Sequence, residues 1–443
     1  MLNFKSTSIV IKILLAVEIF LIILSPKGMK GLTGYEGIYP NPQFFFMLFI
    51  LPILLYARVF DFSRLKKYYL IFFLIFIIII FYFFSSLIAV NTTSVEPINP
   101  LKESVRQSLN YLVLFFPFLF LKKDYLISSL KTLIVLGLFE IVFIIYGILG
   151  VFNIFPIANG LKKIISDQIY SQSWTIFGFI PKWAGTFEET QILSTFFLIC
   201  FIVTDLLENI KGKNKFLKLI KILFGISIIY CFSKATVPAF LFYLIFRKLN
   251  NRNLYKYLLL TPLIILIVFF YPWLGMEKEI FQIINYQNLE ELGLSHSSLG
   301  ERLFHIINVL NFMSESFTKI FFGIGPRTYG TIISLKYPEV FNSNANCISV
   351  FTVLSDIGFL GFMVFLFFLF IIFKKIKSTK IKIAYLSLLI AYLPQISWGV
   401  SVVILGISVL LNYDSLQKNK AKIENSNLIK IKKEELKEKN YLY

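Results

Sequence analysis

Between Tyr68 and Val90 the chain reads YYLIFFLIFIIIIFYFFSSLIAV, without one charged residue. A helix of this length crosses a hydrocarbon core about 30 Å thick, and inside that core only a helix or a closed barrel satisfies its own backbone groups. A soluble fold has no place for such a run. The rest of the chain agrees: 57% of its 443 residues are hydrophobic, 18% aromatic and 16% charged, against about 25% charged in soluble domains. The mean hydropathy is +0.75. The expectation is an all-α, polytopic membrane protein.

Apolar stretches place twelve spans near 8–25, 43–57, 67–90, 107–121, 126–150, 190–207, 217–232, 235–247, 255–271, 349–373, 383–397 and 399–411. The second, the eighth and the last two are short, and Pro52, Pro238 and Pro394 each interrupt a helix that neighbours must repair. The first stretch, Ser8 to Ser25, lacks a small-residue cleavage site and reads as a retained span. Residues 1–413 thus form a single transmembrane domain, with a basic tail at 414–443. Cys200 and Cys231 lie in apolar spans and Cys347 near the start of another; three scattered thiols make neither a disulfide framework nor a metal site.

The formal net charge is +19. Nucleic-acid binding is the weaker explanation, because basic residues collect in the cytoplasmic loops of membrane proteins. With a cytoplasmic N-terminus, ARVFDFSRLKK, LKKDY, KGKNKFLKLIK, FRKLNNRNLYK and FKKIKSTKIK share one side, and with the tail they hold most of the 44 lysines and arginines. Both termini are then expected inside, and the tail beside anionic lipid. Two connections fall outside, at about 151–189 and 271–348. The second, between spans nine and ten, far exceeds an ordinary loop. It contains FFGIGPRTYG, Phe321 to Gly330, whose glycines and arginine resemble a phosphate cradle. Nucleotides are cytoplasmic, so the expected phosphate is that of a lipid. A Gly-Pro turn explains the same glycines without any ligand.

Four segments in order carry a resemblance: KWAGTFEETQILSTFF (Lys182 to Phe197), CFSKATVPAFLFYL (Cys231 to Leu244), GERLFHIINVLNFMSESFTKIFFGIGPRTYG (Gly300 to Gly330) and FTVLSDIGFLGFMVFLFF (Phe351 to Phe368). With the long external loop before the last three spans, they resemble the O-antigen polymerase and ligase family, the Wzy-type polysaccharide polymerases and their ligase relatives. The likeness covers roughly the C-terminal two thirds. Lys182 and Lys234 stand where the family has arginine, and Thr190-Gln191 where it has Pro-Asn. The ligase branch has a His-Asn pair before the helix that follows the loop; FNSNANCISVF has no histidine there.

The resemblance implies a glycosyltransferase of a bacterial cytoplasmic membrane, with capsule or O-antigen as its class of product. It would move a glycan chain from an undecaprenyl diphosphate carrier onto a lipid-linked repeat unit at the outer face, without metal or cofactor. Membrane lipid and a chain-length regulator are the implied partners. The departing diphosphate needs cations, and Arg302, Arg327, Lys182 and Lys234, with the backbone at Gly323 and Gly325, are the candidates. The acceptor hydroxyl benefits from a base, for which Glu189, Asp356 and His305 are the first candidates, followed by Glu188 and His296. Each has a plainer reading. Arg302 pairs with Glu301 or headgroups, the lysines snorkel, Trp174 and Trp183 anchor at the interface, and Asp356 caps a kink. Leu303, Phe304, Ile306, Ile307, Val309 and Leu310 suit an interfacial helix, with Glu301, His305 and Asn308 sharing another face. Ligase activity and a polysaccharide flippase are the alternatives. The buried carboxylates Glu18 and Glu140 fit either proton relay or a bond to a neighbouring helix.

Overall fold

The computed structural model describes residues 4–23, 42–92, 100–151, 175–176, 180–181, 187, 190–212, 214–231, 233, 235–247, 298–337, 349–393 and 401–417. These are almost entirely helical: α1 (Phe4–Ile23), α2 (Pro42–Tyr56), α3 (Leu65–Thr92), α4 (Pro100–Leu109), α5 (Phe116–Phe120), α6 (Lys123–Val151), α7 (Thr190–Lys211), α8 (Lys215–Tyr230), α9 (Thr236–Phe246), α10 (Ser298–Ser314), α11 (Phe317–Phe322), α12 (Thr328–Lys336), α13 (Ser349–Lys375), α14 (Thr379–Tyr392) and α15 (Ser401–Gln417). Two short antiparallel strands, β1 (Thr175–Ile176) and β2 (Ile180–Pro181), pair Thr175 with Pro181 and Ile176 with Ile180.

Four helices, α3, α6, α7 and α13, are long and apolar enough to cross a membrane. The other expected spans fall on shorter or more polar helices, and the ninth, 255–271, lies outside the described residues. Of the large connection only 298–337 is described, as α10 to α12. These pack around a small core of their own, formed by Phe304, Val309, Met313, Ile324, Tyr329 and Ile333.

In its most apolar window 83% of α7 is buried, against 39% for α3 and α6, which puts α7 at the centre. It packs against α6, α8, α9 and α14, while α3 packs against α13 and α4. The peripheral helices turn apolar stripes outward: Phe73, Phe76, Ile80, Phe84 and Leu87 on α3; Val135, Phe139, Val142 and Ile145 on α6; Leu219, Ile222, Ile226 and Ile229 on α8. The three- and four-residue spacing marks one face of each helix. Apolar stripes this continuous are what a bilayer covers.

The fourth expected span, 107–121, starts earlier than expected. Its polar first turns form α4, and the helix then widens into a π turn, Asn110–Phe115, before α5. Pro117 follows the bulge; without an N–H it cannot bond to the preceding turn. The Asn110 side chain accepts from Ser401 Oγ (3.1 Å) and donates to Gln107 Oε1 (3.5 Å), tying α15 to α4.

One end of the bundle is clamped by buried charge. Arg64 is 5% exposed. It donates to Asn412 Oδ1 (2.6 Å) and to the carbonyls of Phe120 and Leu121 (3.1 Å each), and it pairs with Asp61 (3.1 Å). Asp414 accepts from the backbone N–H groups of Lys377 and Ser378, and Asp205 takes Lys221, Arg247 and Lys380. The five basic connections therefore meet at a single end.

Arg64→Ala would take the donor from buried Asn412 Oδ1 and the cation from Asp61, while the Phe120 and Leu121 carbonyls keep the Asp61 N–H and Asn412 Nδ2. We expect it to cost about 3 kcal/mol, the scale for removing one partner from a buried ionic network. The check is the unfolding midpoint of the purified protein in detergent, which the exposed Lys66→Ala should leave unchanged.

Candidate anion-binding site

At the opposite end, α3, α4, the turn before α12 and the start of α13 converge. Glu103, Arg106, Gln107 and Asn110 follow one another at i, i+3, i+4 and i+7, so they share one face of α4. Glu103 Oε1 accepts from Arg106 Nε (3.0 Å) and, closer still, Arg106 Nη2; Gln107 Nε2 donates to it at 3.1 Å. Arg327 brings its Nε to 3.6 Å of the same oxygen. The Glu103 side chain is 7% exposed, while those of Arg106 and Arg327 keep 28% and 32%. A buried carboxylate thus holds two guanidinium groups whose outer edges still meet solvent.

Arg327 is placed there by an unusual backbone. It caps α12 in the left-handed region (φ 58), following Gly323 (φ 87) and Gly325 (φ 93). Opposite lies Gly358 (φ 69, ψ −178), which breaks α13. A Cβ on Gly323 would come within 2.6 Å of the Asp356 carbonyl and the Gly358 amide, and a Cβ on Gly358 would collide with the Gly323 and Phe322 amides. The two chains cross backbone to backbone, which only glycine permits. Gly325 lies as tightly against α3, where a Cβ would be 2.6 Å from that of Ala89.

Hydrogen bonds lock the crossing. Ile324 N–H donates to Ser355 O (2.7 Å), Ser85 Oγ donates to Asp356 O, and the Arg327 backbone N–H donates to the Asp356 carboxylate. Gly323 N–H donates to Lys319 O (2.9 Å) and Thr328 N–H to Gly325 O (3.2 Å). The amides of Gly323, Ile324, Arg327 and Thr328 are therefore engaged within the chain. The glycines allow close approach, and the Arg327 side chain is the cation that the turn presents. Asp356, 5% exposed, holds that turn in place.

The structure thus brings Arg327, Asp356, Gly323 and Gly325 together and adds Glu103 and Arg106, which the sequence reading missed. Their helical spacing in PLKESVRQSL was the available signal, hidden because the expected span began at 107. His305 is elsewhere: it is buried in the small core with Nδ1 2.6 Å from the Tyr329 hydroxyl. Phe304 and Val309 pack in that core too, while Leu310 on the same helix stays exposed. Arg302 lies near the start of α10, with its side chain outside the description. Lys182, Lys234, Glu188, Glu189 and His296 lie outside the described residues. Glu18 is fully buried with neither oxygen partnered, so its bond to a neighbouring helix is not found; Glu140 is also buried. Among the described residues, no group of three or more His, Cys, Asp or Glu converges to hold a metal ion.

No protein-family model matches the chain, and no curated protein matches it significantly.

Gly358→Ala forces an alanine into a backbone region that is essentially glycine-only, at about 1–3 kcal/mol before any clash is counted. We expect a lower unfolding midpoint and faster proteolysis within 298–337. A midpoint equal to that of the parent protein would show that the crossing carries no stability.

Proposed function

We propose that this chain is a polysaccharide polymerase that transfers a glycan from an undecaprenyl diphosphate carrier onto a lipid-linked repeat unit at the outer face of a bacterial cytoplasmic membrane. The observation that carries the reading is the convergence of Arg106 and Arg327 on buried Glu103, at the end of the bundle away from the basic connections. By the charge rule the basic end is cytoplasmic, so the arginine pair faces outward. Two guanidinium forks from separate elements suit the oxygens of a departing diphosphate, where negative charge develops as the anomeric bond breaks. Glu103 and Asp356 are positioning residues here. The first orients both guanidinium groups, and the second fixes the turn that carries one of them.

Base catalysis at the acceptor hydroxyl falls in this reading to Glu189, which directly precedes α7. Arg302, Lys182 and Lys234 remain proposed contacts to diphosphate or glycan. Ligase chemistry would use the same donor group, and the missing histidine before α13 favours the polymerase.

Arg106→Ala and Arg327→Ala should each lower chain elongation at least about 100-fold, the scale for one lost electrostatic stabiliser, with normal insertion in the membrane. Arg302→Ala should also stop elongation. Gel analysis of surface glycan from cells carrying each variant provides the check. A ladder collapsed to single repeats fits the reading, an unchanged ladder refutes the arginine assignment, and repeats trapped inside the cell point to a flippase.

A further inference from the structure

Helix α11, sequence FTKIFF, contains no buried residue. Phe317 is 75% exposed and Ile320 37%. With Phe321 they stand at i, i+3 and i+4 and form one apolar face, and the rings of Phe317 and Phe321 lie 4.4 Å apart. The remainder of the turn is polar: Lys319 Nζ pairs with Glu315 Oε2 at 2.5 Å, and Ser316 caps the helix. This segment is amphipathic, and the described protein leaves its apolar face partly open, most of all at Phe317.

Its position says what covers it. Phe322 packs on Phe84 (4.9 Å between ring centroids) and Phe81 (6.5 Å) of α3. Phe84 belongs to the outward apolar stripe of α3, so α11 continues a surface that the bilayer covers. The depth agrees. A helix the length of α3 spans about 42 Å and, if centred, overhangs a hydrocarbon core of about 30 Å by about 6 Å at each end. Phe84 then lies about 6 Å, and Phe81 about 10 Å, below the hydrocarbon boundary. The glycine crossing at Gly323 and Gly358 pins the C-terminal end of α11 at this level.

We infer that α11 is inserted in the leaflet on the side away from the basic connections, with Phe317, Ile320 and Phe321 against lipid acyl chains and Glu315 and Lys319 at the headgroups. The occupant of this surface is the acyl layer itself. Insertion anchors the turn that presents Arg327, and it holds that side chain at headgroup depth.

The test uses the full chain with Cys347→Ser, in which the remaining thiols, Cys200 and Cys231, are buried. Phe317→Cys, Ile320→Cys and Glu315→Cys are spin-labelled separately and reconstituted into phosphatidylcholine–phosphatidylglycerol vesicles. Labels at 317 and 320 should collide with oxygen several-fold more often than with a water-soluble nickel chelate, and the label at 315 should show the reverse. Nickel access at 317 and 320 equal to that at 315 would place α11 in water and overturn the inference. Low access to both reagents would show a protein-covered face and overturn it equally. The readout needs no enzymatic activity, so its failure leaves the glycan-transfer reading to be judged separately.

Discussion

The crossing of Gly323 over Gly358 is the contact on which the rest of that end of the bundle depends. A chain segment entering from α11 must pass the broken start of α13 at backbone distance, and any side chain at the crossing would push the two apart. Once they meet, Ile324 finds the Ser355 carbonyl and the Arg327 amide finds Asp356. Groups that a helix break would orphan thus acquire partners, as backbone groups at membrane depth require. Packing of three small helices on the bundle follows from the same contact. So does the placement of Arg327 beside Glu103.

The helix break also explains why an aspartate sits in an apolar span. Asp356 lies two residues before Gly358, where α13 leaves helical geometry. Its carboxylate accepts the backbone N–H of Arg327, the residue that precedes α12 in the left-handed conformation. An ionisable group in a span is costly and is kept where it has such work.

Long apolar periods are the most legible feature of the sequence, and α3, α6, α7 and α13 lie where hydropathy placed them. The grouping of basic residues was legible too, because Asp205 and Asp414 recruit lysines and an arginine at the end where Arg64 is buried. Helix boundaries were less so: the first turns of α4 carry Lys102, Glu103 and Arg106, which hydropathy treats as loop although Glu103, Ser104, Gln107 and Ser108 are buried there. The Gly-x-Gly turn read as an anion cradle because sequence shows the glycines and hides the strand of backbone that crosses them. The burial of His305 could not be read from its helical face because its partner, Tyr329, lies on a different helix. Each miss concerns a contact between segments distant in the chain, which local periodicity does not encode.

Asp205 at one end of the bundle and Glu103 at the other are both buried carboxylates set among cations, and they differ in how tightly those cations are held. Asp205 is met by Lys380 at 2.7 Å, Lys221 at 3.1 Å, Arg247 at 3.4 Å and the Tyr243 hydroxyl at 2.9 Å. Both of its oxygens are taken, and Lys221 is shared with Glu208. That hub joins α7, α8, α9 and α14, and its cations are already committed. Glu103 holds Arg106 firmly but Arg327 only at 3.6 Å, beyond hydrogen-bond range. Arg327 is thus held beside that carboxylate by charge and by the turn that carries it, while Arg106 is hydrogen-bonded to it from one turn along its own helix. The Asp205 hub is the tighter of the two, because its hydrogen-bonded partners come from several helices at once.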